Sequence, residues 1–217
     1  YLKGIGEQPG LFVEIQSNQG QWRIEDRYPP DGMEEMSLDL GGALSNIAGG
    51  TTNILPNGNF GPVYESSPLV DDIWISGLPR LHIDVSTSTL GGQIYALLED
   101  CSEVGDCIHI GHAIMDLRYH EGGSDEQTWI PILETINAKM EFFAMDVQIE
   151  AGHTIRLSLA STGEDYLPAS TSSVVTVQEG PGSNLILDII DSDSKLLFDP
   201  PACTHVVCEE WLNQTSI

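Results

Sequence analysis

The chain has 217 residues, 33 of them acidic against 8 Lys and Arg, for a formal net charge of −25. That balance repels a phosphate backbone and excludes nucleic-acid binding through phosphates. No apolar run approaches the ~18 residues that span a membrane.

Tyr1-Leu2-Lys3-Gly4 reads as a helix end capped by Gly4, and no signal sequence opens the chain as given. Leu11, Val13 and Ile15 alternate with polar residues and predict a strand. Residues 21–26 come after the turn at 18–20 and complete a hairpin. Residues 35–40 read as a further short strand. Residues 41–61 hold Gly-Gly, Thr-Thr and Pro-Asn-Gly sequences and read as a long exposed loop, a feature usually tied to function or mobility. Short strands at 63–66 and 73–75 lead into the clearest signal of the chain, residues 77–85. There Leu81, Ile83 and Val85 alternate with His82, Asp84 and Ser86, so one face is apolar. Gly77 and Pro79 punctuate its start. Further strands are predicted at 93–100, 108–117, 129–132, 139–147, 153–161, 174–178 and 185–189. Helix signals are few. Many short strands among 22 glycines and 12 prolines point to an all-β sandwich over residues 10–190. From Asp191 onward the character changes, and residues 191–217 read as an appendage on the sandwich surface.

Four cysteines fall in two close pairs, Cys101 with Cys107 and Cys203 with Cys208. Local pairing predicts two short-range disulfides and an oxidising compartment. Neither spacing suits a zinc knuckle. Asn213-Gln214-Thr215 is a glycosylation sequon, in keeping with an extracellular chain.

No G-x-S-x-G nucleophile elbow occurs, so an α/β-hydrolase serine is not expected here. The six histidines read as structural or surface residues. His109 and His112 stand three apart in a predicted strand and should face opposite sides, which makes them poor joint metal ligands. Asp191-Ser192-Asp193 begins like a calcium loop, but Lys195 occupies a ligand position and the loop glycine is missing. Calcium is still the one cofactor the acidity allows, through Asp71, Asp72, Asp100, Glu164, Asp165 and Asp188 meeting at a sandwich edge. Trp22, Trp74, Trp129 and Trp211 read as core or edge residues rather than a sugar platform.

Several stretches together carry a family resemblance: Gln21-Trp22-Arg23-Ile24-Glu25, Tyr64-Glu65-Ser66-Ser67-Pro68-Leu69, Ile75-Ser76-Gly77-Leu78-Pro79, Ile94-Tyr95-Ala96-Leu97-Leu98-Glu99-Asp100, Ile110-Gly111-His112-Ala113, Leu117-Arg118 and Ala151-Gly152-His153-Thr154-Ile155-Arg156-Leu157. In order and spacing they resemble the C-terminal domain of X-prolyl dipeptidyl peptidases and cocaine-esterase-like hydrolases. The resemblance implies a galactose-binding-like jelly-roll sandwich placed after a catalytic domain. It implies residues 1–9 as the remnant of that domain's last helix and linker. In the family the Ser-His-Asp triad lies in the catalytic domain, so no catalytic residue is carried over. Gly152-His153 matches a family turn and reads as structural.

Three functions stay open at this point. The chain is a non-catalytic accessory domain of a secreted serine hydrolase, packed against its α/β-hydrolase partner; or a stand-alone extracellular subunit that self-associates, with divalent ions bridging its acidic surface; or a carbohydrate-binding module.

Overall fold

The computed structural model describes residues 12–47, 53–56, 61–121, 127–163, 165–170 and 172–191. In chain order the strands are β1 (Val13–Gln16), β2 (Trp22–Glu25), β3 (Glu34–Asp39), β4 (Leu44–Asn46), β5 (Asn53–Ile54), β6 (Val63–Ser66), β7 (Ile73–Gly77), β8 (Arg80–Thr87), β9 (Gln93–Cys101) and β10 (Cys107–Asp116). A 3-10 turn, Leu117–Tyr119, precedes β11 (Ile136–Glu141), β12 (Met145–Ile149), β13 (Thr154–Ala160), β14 (Val175–Gln178) and β15 (Asn184–Ile189).

Two antiparallel sheets face each other. One has the order β10-β9-β13-β6-β4; the other runs β12-β7-β15-β8-β14-β5, with β11 beside β8 and β3 beside β15. From β6 to β13 the chain passes back and forth between the sheets in the jelly-roll manner, so consecutive strands seldom end as simple neighbours. The period-two pattern decides what is inside. Along β8, Leu81, Ile83 and Val85 are fully buried while His82, Asp84 and Ser86 are not. They meet Ile94, Ala96 and Leu98 of β9 and Ile155, Leu157 and Leu159 of β13 in one core. Burying each such large aliphatic side chain contributes about 1.5–3 kcal/mol relative to exposure.

Two strand pairs are broken at the same level. β7 and β8 are separated at Leu78 and Pro79, and β11 and β12 at residues 142–144, where Phe142 N donates to Pro79 O at 2.9 Å. Proline has no amide to offer the ladder, so the pairing stops there. The single strand expected over 139–147 is therefore two. The break turns Phe142 inward and leaves Phe143 65 % exposed. Two other expectations are corrected. The stretch 41–61 is not one exposed loop: Leu44 and Ile54 are fully buried and anchor β4 and β5. Residues 129–132 form no strand; only Ile130 is buried there, and Trp129 and Ile132 point outward.

Hairpin β1–β2 forms its own two-stranded sheet and lies against β7 and β12. The Asn18 amide donates to Gln148 O at 2.9 Å and its carbonyl accepts Gln148 N at 2.8 Å. One side chain thus supplies what a neighbouring strand would, and blunts the exposed edge of β12.

Candidate functional site

The outer face of the five-stranded sheet holds a cleft of about 550 Å³. Tyr95 and Leu97 of β9 and Ser158 and Ala160 of β13 are its floor, being the outward positions of strands whose alternate residues fill the core. His109 and His112 of β10 form one wall, and Thr162, Gly163 and Asp165 the opposite rim.

The histidine wall corrects the sequence reading. The β9–β10 register shifts between His109 and Gly111, so one extra residue sits on β10 and the two histidines share a face. Their rings are 5.3 Å apart, with His112 Nδ1 3.3 Å from His109 Nε2. Gly111 permits the bulge: a Cβ there would lie 2.3 Å from Met145 Cε, which seals the edge between the sheets. An isolated glycine inside a strand pattern is the signal that could have revealed it.

Four rings surround His112, that of His109 and three others. Tyr95 stacks on it at 5.7 Å, Phe143 meets it edge-on at 5.2 Å, and Tyr166 lies at 5.7 Å with its hydroxyl 2.9 Å from His112 Nε2. Both ring nitrogens of His112 are thereby engaged. Burial, then the neighbouring His109, holds the His112 pKa below its ordinary value, and Asp165 offsets this only in part. No pattern in the sequence marks Tyr95, Tyr166 or Phe143 as partners of a histidine. Tyr166 lies beyond the strands, and Phe143 reaches the cleft only because β11 and β12 part at Phe142.

A second feature is an apolar end around the Thr87–Gly92 turn. Leu133 N donates to Thr87 O at 2.9 Å, and Leu117 N to Gly92 O at 2.9 Å. Leu133 has φ of 63° and is 75 % exposed. Exposed Leu90, Trp129 and Ile132 lie on the same segments, and the Arg118 guanidinium stands 5.9 Å from the Trp129 ring centre. A bulky side chain in the left-handed region, turned to solvent, costs the isolated fold energy without return.

The described acidic residues of the set expected to bind calcium do not meet in one group of three or more. Asp72 accepts Ala151 N at 2.7 Å, Asp100 accepts His153 Nδ1 at 2.7 Å, and Asp188 pairs with Arg80 at 3.0 Å. Asp71 adjoins Asp72 in the loop before β7, and Asp165 stands at the cleft. Among the described residues no three His, Cys, Asp or Glu side chains group to hold a metal. Glu164 lies outside the described residues, as do Cys203, Cys208, Asn213, Trp211 and residues 1–9. Cys101 and Cys107 are bonded, directly opposite each other across β9 and β10 with Cα atoms 4.0 Å apart. The turn at Gly152 has φ of 87°, and the His153 contact with Asp100 ties the start of β13 to β9, in keeping with a structural role. Trp74 is buried with its Nε1 donating to Asp146 at 2.8 Å, and Trp129 is exposed.

The sequence profile described as the X-Pro dipeptidyl-peptidase C-terminal non-catalytic domain matches residues 4–196. The chain belongs to this family. It is therefore a non-catalytic domain, with no enzyme activity of its own. No curated protein matches it in sequence. Among solved structures, a CocE/NonD family hydrolase from Staphylococcus aureus superposes with a TM-score of 0.70 at 13 % identity, over 88 % of this chain and 44 % of that one. An aminopeptidase from the marine sediment archaeon Thaumarchaeota archaeon gives 0.62 at 12 % identity, over 78 % and 39 %. An α-amino acid ester hydrolase gives 0.53 at 14 %, over 83 % and 36 %. These likenesses share the fold, and this chain spans less than half the length of each of these proteins. Domains of this family form part of hydrolases that carry a separate catalytic domain. Among the described residues no helix is long and apolar enough to cross a membrane.

Proposed function

We propose that the chain is the C-terminal accessory domain of a longer, secreted serine hydrolase of the X-Pro dipeptidyl peptidase and esterase type, and that it packs on the catalytic domain and shapes its substrate site. The observation that carries the packing is Leu133, 75 % exposed at φ 63° beside exposed Trp129 and Ile132. Exposed apolar groups clustered on one end mark an interaction surface. A strained residue is kept where a bound partner offsets its cost. The −25 charge opposes packing of two copies of this chain, which favours a different partner. Secretion is supported by the Cys101–Cys107 bond, which persists in oxidising compartments.

The test is Trp129→Lys with Leu133→Lys in the longer hydrolase. The double variant should keep the far-UV spectrum but show a larger radius of gyration by small-angle scattering, with reduced turnover. Unchanged scattering and turnover would contradict the reading. A sedimentation profile in which the wild-type chain alone dimerises through this end would instead favour self-association.

A further inference from the structure

We propose that His109 and His112 form a binding site for one divalent transition-metal ion of the zinc type, held by His109 Nε2 and His112 Nδ1 and completed by water.

The bulge creates the pair. In a regular strand the two residues would lie on opposite faces; the shifted register makes their imidazoles converge, with His112 Nδ1 3.3 Å from His109 Nε2. Two nitrogens at that separation, each at the ~2.0–2.1 Å of a zinc–nitrogen bond, subtend an angle of roughly 104–111° at a shared ion, which is tetrahedral geometry. As a direct hydrogen bond between the rings the same contact is a long one. Bulges re-aim side chains in this way beside functional sites. His112 is also prepared as a ligand. Its Nε2 lies 2.9 Å from the Tyr166 hydroxyl. With the ring proton on Nε2 and the hydroxyl oxygen accepting it, Nδ1 keeps its lone pair, the arrangement by which the second nitrogen fixes a ligating histidine. Tyr95 stacks on the ring and Phe143 meets its edge. The orientation of His112 is thus set before an ion arrives, which lowers the ordering cost of binding.

Donor chemistry and charge choose the ion. Imidazole nitrogen suits zinc, copper and nickel, whereas calcium and magnesium take oxygen ligands. Zinc accepts the near-tetrahedral angle; copper(II) and nickel(II) favour a square arrangement. Glu99 is the direct cross-strand partner of His109 on β9, and the cleft lining contains no Lys or Arg. The chain's charge of −25 raises the local concentration of cations over the whole surface. Among the described residues no third His, Cys, Asp or Glu groups with the pair, so water fills the remaining positions and the ion keeps open coordination sites. His109 is exposed, which gives the ion a path from solvent. The cleft shares no lining residue with the apolar end around Leu133, so its occupancy and domain docking can be tested separately.

The experiment titrates the metal-free full chain with zinc chloride and, separately, with calcium chloride, read by calorimetry and by the imidazole nitrogen resonances of isotope-labelled protein. One zinc ion per chain should bind at the pair and move the resonances of His112 Nδ1 and His109 Nε2. Calcium should move neither. His109→Ala should weaken zinc binding, followed at the His112 resonances, at least about tenfold, the loss of one of two protein ligands. His109 is exposed, so that variant should keep the far-UV spectrum. His82→Gln, on β8 of the other sheet, should leave zinc binding at the pair unchanged. No zinc-dependent shift at the pair, undiminished binding in His109→Ala, ligation through His112 Nε2, or calcium binding there as tight as zinc would each overturn the assignment.

Discussion

Arg23 and Asp146 form a two-pronged ion pair that joins the β1–β2 hairpin to β12, with Nη1–Oδ1 at 2.7 Å and Nη2–Oδ2 at 2.6 Å. The arginine is only 1 % exposed. Ser76 Oγ donates to Asp146 at 2.7 Å and accepts from Arg23 at 2.6 Å, Glu25 accepts from Arg23 Nε at 2.8 Å, and the guanidinium lies 4.5 Å from the Trp74 ring centre. Burial opposes the charge, but Asp146 and Glu25 outweigh it and raise the Arg23 pKa above its ordinary value. Asp146→Ala leaves that charge buried with one carboxylate in place of two. It should cost about 3–5 kcal/mol in denaturant unfolding and expose β1–β2 to protease before the sandwich. A loss below about 1 kcal/mol would show that the pair adds little beyond packing.

The Cys101–Cys107 bond closes a short loop at the end of β9. Replacing both residues by Ser should lower stability by about 2–3 kcal/mol in the loop-entropy account. Guanidinium unfolding of the two proteins measures it, and equal midpoints would contradict a stabilising role.

Acid should weaken the cleft. Burial and then His109 hold His112 below its ordinary value of 6.5. The fold therefore favours the neutral ring, and on acidification the unfolded chain takes up the proton first. The stability this supplies is complete above pH 6.5 and is lost as pH falls through the lowered folded-state value. The stability advantage of wild type over His112→Gln should shrink as pH falls below about 6.5. A gap that widens on acidification would reverse the sign. Glu65 acts in the same direction further down. Burial disfavours its charge, yet the Thr154 hydroxyl and Arg156 outweigh this and lower its pKa below 4.5, so its contribution is lost only in stronger acid.

Leu133→Gly should stabilise the isolated chain by about 0.5–1 kcal/mol, because glycine accepts φ of 63° while adding some chain entropy to the unfolded state. The same change should weaken packing on a catalytic domain. Thermal unfolding of the isolated chain checks the first part; a destabilised variant would mean that the Leu133 side chain is packed at home.

Much of the fold is legible from alternation alone. Leu81, Ile83 and Val85, and their counterparts on β9, β13 and β15, declare their buried face because a strand's period is two. The cysteine pair at 101 and 107 is legible for a local reason: a short polar stretch between two strands can form a hairpin end. The features that stay hidden depend on partners distant in sequence or on one inserted residue. Nothing near Arg23 in the sequence announces Asp146, 123 positions away. Leu44 and Ile54 stand in strands of three and two residues, too short for alternation to show, yet they are fully buried at the sheet ends. A single bulged residue at Ile110 reverses the expected facing of His112 relative to His109, and with it the content of the cleft.

The most direct test of the accessory-domain account is amide hydrogen exchange at residues 127–135, compared between this chain alone and the longer hydrolase that contains it. Docking through the apolar end predicts slower exchange there in the longer protein, with β9 and β13 unchanged. Equal exchange at 127–135 in the two proteins would contradict it.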